Sequence, residues 1–230
     1  MRIEPEISAA TIVLLGHFNP QIFQPYWLAN YEVISEEEAE TANINFVLPE
    51  ITRFSVEGEF TVQVEHQRFS IERAVAPLVR IADISCRIFG DLLPHTPIQQ
   101  MGINRLMHFD VGDQAVREEI GRKLAPREPW GDWGRLVSTG EGLRHGGLQS
   151  LTMTQRELSD RPGGWINAKI EPSNAIGRGR TGIYMEINDH YDIAKKPDGA
   201  DEIIEILRTR FDASLANSDS IIDQIMSLKS

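Results

Sequence analysis

The sequence predicts an α+β fold. A ferredoxin-like, split βαβ half with an antiparallel sheet (residues 1–110) is continued by a strand-rich half (111–230) that ends in two helices. Three observations lead there. Apolar and polar residues alternate over 59–66, with Phe60, Val62 and Val64 set against Thr61, Gln63 and Glu65, which is the period of a strand with one wet face. Over 77–93 the period returns to that of a helix, with Leu78, Ile81, Ser85, Ile88 and Leu92 sharing a face. The resulting order of elements, β-α-β-β-α-β, is that of the split βαβ motif.

Residues 10–18 form the first strand, a short apolar run with β-branched residues that Asn19-Pro20 closes. Prolines 20 and 25 forbid one continuous helix after it. Pro25 instead suits the first turn of a short helix carrying Tyr26, Trp27 and Leu28. Ser35 with Glu38 three residues later is a capping-box pattern for a second short helix over 36–42. Strands are expected over 51–57 and 59–71, with Gly58 at a bend, and a helix over 77–93. Pro94 and Pro97 then precede a strand over 98–110.

The second half opens on a helix over 113–124, capped by Asp113, with Val116, Ile120 and Leu124 inward. A loop spans 125 to about 146. Strands follow near 148–157, 164–171 and 180–191, and then two helices, 199–214 capped by Asp198 and 219–228 capped by Ser218. No linker separates the halves, so the second is expected to pack on the first sheet or extend it.

Composition narrows the function. The chain has 230 residues, a net charge of −11, 41% hydrophobic residues and one cysteine, Cys86. No apolar run approaches the ~18 residues that span a bilayer, and the first residues lack a secretory pattern, so a cytoplasmic protein without membrane contact is expected. A lone cysteine excludes an internal disulfide and a cysteine metal cluster. The acidic balance argues against general nucleic-acid binding. The charge is uneven: residues 1–60 hold 10 acids against 2 bases, whereas 111–180 hold 9 against 11.

Chemistry concentrates on the strand 183–192, where Tyr184, Glu186, Asn188 and His190 share one face. Glu186 and His190, with His108 from the strand 98–110, are candidates for acid–base work if those two strands are neighbours. Asp189, His190 and Asp192 are candidate ligands for a divalent metal. A solvated sheet face is the simpler reading of both sets, and no cofactor is expected. The loops 140–147 and 177–182 are glycine-rich, but the first lacks the Lys-Ser/Thr pair of a P-loop. Trp130 and Trp133, in a loop rich in Pro and Gly, either anchor that loop or serve as contacts for a partner. The acidic run Glu36, Glu37 and Glu38 is a second candidate contact.

Four segments, GHFNPQIFQPYWL (16–28), HTPIQQMGINR (95–105), LAPREPWG (124–131) and EINDHY (186–191), together resemble an uncharacterised family of bacterial proteins of about this length. The resemblance implies a bacterial accessory protein, encoded beside mobile or defence genes, and carries over no functional residue. With no Gly-x-Ser-x-Gly or His-Glu-x-x-His motif in the chain, the expected function is that of a non-enzymatic interaction protein. It would be a subunit or adaptor of a bacterial assembly in phage defence or toxin–immunity, working with a protein partner or as a homo-oligomer. The alternative is a metal-dependent or hydrolytic enzyme using the polar face of 183–192.

Overall fold

A computed structural model of the protein describes residues 3–137, 146–161, 163–177, 180–193 and 197–229. Among the described residues nine strands form one sheet: β1 (Ile7–Gly16), β2 (Asn43–Val47), β3 (Ile51–Val56), β4 (Phe60–Glu65), β5 (Arg68–Arg73), β6 (Ile98–Asp110), β7 (Leu151–Gln155), β8 (Trp165–Pro172) and β9 (Gly182–Asp192). Their spatial order is β2-β3-β4-β5-β1-β6-β9-β8-β7, and every described pair is antiparallel. The fold is thus mixed α and β. One sheet runs through both halves of the chain, joined where β6 pairs with β9.

Two strands were expected over 51–71, and the structure has three there, plus β2 before them. The reason lies in the parity of the apolar residues. Phe60, Val62 and Val64 point to the core from β4, but in β5 the core positions are Phe69 and Ile71. The parity flips at His66-Gln67, and the chain turns there, pairing Glu65 with Arg68. Gly58 lies in the preceding hairpin turn with φ +70°, where a β-carbon is unfavourable.

Six helices are described. In α1 (Pro25–Asn30) proline occupies the first turn as expected. In α2 (Glu36–Thr41) the Ser35–Glu38 capping box is complete, with both reciprocal hydrogen bonds made. α3 (Arg80–Cys86) widens into a π-type turn over Arg87–Leu92, closed by the Leu93 amide on the Ile88 carbonyl at 2.7 Å. α4 (Gln114–Leu124) is capped by the Asp113 carboxylate, and α5 (Gly131–Leu136) lies in the segment expected to be loop.

α6 (Asp201–Met226) is one helix of 26 residues, not the expected two. Nothing between 214 and 219 breaks it. The Ser218 hydroxyl donates to the Ser214 carbonyl at 2.8 Å from inside the helix, and Ala200, not Asp198, precedes its first turn. No described helix is long and apolar enough to cross a membrane.

Every strand residue in the two hydrophobic cores belongs to one face of the sheet. The first core packs α1, α2, α3 and the start of α6 on β1 and β3–β6. At its centre Phe18, Phe23, Phe69 and Phe89 meet at centroid distances of 5.0–6.3 Å. Each such pair adds about 0.5–1.5 kcal/mol beyond the area it buries. The second core packs α4 and the end of α6 on β6, β8 and β9. Arg105, buried on this face, donates to Asp219 of α6 at 2.8 Å and to the Ala9 carbonyl at 3.0 Å, tying helix to sheet. Among the described residues the helices lie on this side of the sheet, and the opposite face carries no helix.

Candidate functional site

The register places one polar residue from each strand in a single row across the open face. In spatial order the row is Asn43, Ser55, Thr61, Glu72, Thr11, Asn104, Asn188, Asn167 and Thr154. Directly opposed residues in an antiparallel pair point to the same side, so the row is continuous. Its right-hand members donate in one direction. Thr154 Oγ1 donates to Asn167 Oδ1 at 2.7 Å, and Asn188 Nδ2 donates to Asn104 Oδ1. Asn104 Nδ2 donates to the Thr11 carbonyl at 3.4 Å, and Thr11 Oγ1 to Glu72 Oε2 at 3.1 Å. The Glu72 carboxylate only accepts, which fixes the Thr11 hydroxyl as its donor. Gly102 leaves room for the row: a β-carbon there would lie 2.9 Å from Asn188 Nδ2.

Aromatic and charged groups flank the row. Trp165 of β8 stacks on His190 of β9, and the Arg156 guanidinium lies 5.1 Å from the Trp165 ring centre. Burial pulls the pKa of His190 down, against a weaker upward pull from Asp192, so the ring is held neutral more strongly than usual. Towards the other end, His108 Nδ1 shares a 2.7 Å hydrogen bond with Ser173 Oγ, and its ring centre is 4.7 Å from that of Tyr184. The Tyr184 hydroxyl donates to Glu186 Oε2 at 3.0 Å. Burial first and the Glu186 charge second push the phenol well above its ordinary range. Lys169 pairs with Glu171 at 3.0 Å.

The strands 98–110 and 183–192 are neighbours, yet their expected acid–base set does not converge. His108 faces Tyr184, whereas His190 faces Gly102. The two imidazoles are six residues apart along the sheet, about 20 Å. The three candidate metal ligands are also divided. Asp189 lies on the helix side, 1% exposed and bound by Arg161 and by the Tyr191 hydroxyl at 3.2 Å, while His190 and Asp192 lie on the open side. Among the described residues no group of three or more His, Cys, Asp or Glu side chains is placed to hold a metal ion.

Trp130 and Trp133 are each 61% exposed, with ring centres 5.4 Å apart, and sit on the helix side of the molecule. Of the acidic run, Glu38 is engaged by the Ser35 amide and by Arg80, while Glu36 and Glu37 are exposed. The Cys86 thiol is half-buried at the end of α3, and burial raises its pKa. Of the glycine-rich loops, 140–145 in the first and 178–179 in the second lie outside the described residues.

Trp165, Asn167, Thr154, Thr11 and Glu72 belong to the open face without having stood out in the sequence. Alternation within 165–171 was the available signal for Trp165 and Asn167, but no local pattern says which residue of another strand lies opposite. A comparison with protein-family models finds no match, and a comparison with curated proteins finds no relative.

Proposed function

We propose that the protein is a non-enzymatic interaction protein, a subunit or adaptor of a cytoplasmic assembly, and that a folded protein partner docks on the open face of the sheet. The observation that carries the reading is a nine-stranded sheet that, among the described residues, has helices on one side only, with an in-register polar row across the other. Nine strands at ~4.8 Å spacing and about six residues of height give an area of roughly 800 Å², the share of one partner in a standard interface. The face mixes both charge signs with Trp165 and Tyr184, which suits a flat protein surface better than a small substrate. A bacterial defence or toxin–immunity assembly is the setting implied by the resemblance of the sequence. The strand order β6-β1-β5-β4, with β1 and β4 running the same way on either side of β5, supports reading the first half as a split βαβ unit with an added β2–β3 hairpin.

The enzymatic reading loses its support where the register separates His108 from His190. Light scattering behind size-exclusion chromatography, with affinity capture from the native host, tests the proposal. A stoichiometric protein partner or a dimer is expected, lost in Asn188→Arg and kept in Asp212→Arg on α6. A monomer that captures nothing, or a complex indifferent to Asn188→Arg, refutes it.

A further inference from the structure

A cavity of about 280 Å³ lies on the helix side of the sheet, away from the open face, between α4, α5 and the strands β8 and β9. Ile120, Leu148 and Ile170 form its inner wall, and Trp130 and Trp133 its outer one. Gly134 lets α5 close on the preceding turn, since a β-carbon there would lie 2.3 Å from the Arg127 carbonyl oxygen.

The polar groups on the walls are not equivalent. Both carboxylates are already engaged: Glu118 accepts from Gln114 Nε2 at 2.8 Å, and Glu171 accepts from Lys169 at 3.0 Å and Ser150 at 2.9 Å. Arg122 is paired with Glu119. The guanidinium of Arg127 has no hydrogen-bond or ion-pair partner among the described residues, although it borders the cavity. Arg117, also on the wall, is 8% exposed, and burial lowers its pKa against a weaker upward pull from the neighbouring Glu118. An apolar chamber edged by a guanidinium that has no partner among the described residues is complementary to a molecule with an apolar body and one anionic end.

We propose that this cavity binds a small amphipathic carboxylate, its apolar body between Trp133 and Leu148 and its carboxylate on Arg127. At about 280 Å³ the cavity stands at the small end of ligand pockets, which suits a ligand of about ten non-hydrogen atoms. An arylalkyl carboxylate such as 3-phenylpropionate is of that size, and its ring offers the tryptophans an aromatic face.

The test is a titration of the full chain with 3-phenylpropionate and with its uncharged analogue 3-phenylpropionamide, read by tryptophan fluorescence and calorimetry. Saturable binding of the carboxylate is expected, with the amide about tenfold weaker. Arg127→Gln brings the carboxylate down to the affinity of the amide. Leu148→Trp, which fills the chamber, abolishes both, and circular dichroism checks that each variant is folded. Absence of saturable carboxylate binding, equal affinities for acid and amide in the unmodified protein, or full affinity in folded Arg127→Gln overturns the proposal.

Discussion

Trp165 of β8 and His190 of β9, directly opposite in the register, stack with ring centres 3.7 Å apart and planes 18° from parallel. The pair stands on the open face, yet His190 is only 9% exposed and its Nε2 has no partner among the described residues. The indole covers one side of a titratable group, and burial is the chief cause of the lowered imidazole pKa.

Trp165→Ala is therefore expected to raise the His190 pKa towards the ordinary value near 6.5, followed by the ring resonances in an NMR titration. In the unmodified protein the folded state binds this proton more weakly than the unfolded one. His190 then lowers stability as pH falls from about 6.5 to its folded pKa, and adds no further loss below that. The substitution should shrink that loss. An unchanged His190 titration in Trp165→Ala shows that something other than the indole shields the ring.

Gly102→Ala should displace the Asn188 amide from Asn104, because the new β-carbon meets Asn188 Nδ2 at 2.9 Å. The lost hydrogen bond costs about 1 kcal/mol, against an intrinsic gain of about 0.5–1 kcal/mol for replacing glycine inside a strand. In an Asn188→Ala background the clash is gone, and the same substitution should be neutral or stabilising. A double-mutant cycle by urea unfolding reads the coupling, expected to be about 1 kcal/mol. Additive effects mean that the two side chains do not contend for the same space.

Two serines separate a true cap from its imitation. Ser35→Ala removes half of the capping box of α2 and should cost about 1 kcal/mol. Ser218→Ala, inside the unbroken α6, loses the hydroxyl bond to the Ser214 carbonyl, about 1 kcal/mol, but alanine is the better helix former by about 0.5 kcal/mol, so the net cost should be no more than about 0.5 kcal/mol. Thermal and urea unfolding of both variants measure the contrast. A cost at Ser218 as large as that at Ser35 contradicts a continuous helix there.

Much of the architecture was legible in local pattern. The Ser35–Glu38 box, the proline-led α1, the Asp113 cap and the alternation on β6 and β9 are each written within a few residues, because caps and pleats depend on neighbours in the chain. The His66-Gln67 turn was legible too, in the parity flip between Val64 and Phe69, although the overall alternation hides it. The break expected at Ser218 fails because a serine can bond its own helix as readily as cap a new one.

The sequence by itself determined which residues on each strand share a side, and with that the polar character of Asn104, His108, Glu186, Asn188 and His190. Only the tertiary structure decided who stands opposite whom. Asn104 meets Thr11 across 93 residues of chain and Asn188 across 84, and a shift of two residues along either strand would dissolve the row while leaving every local pattern intact. Register between distant strands is set by how the helices fill the other face, and that packing also leaves this one open.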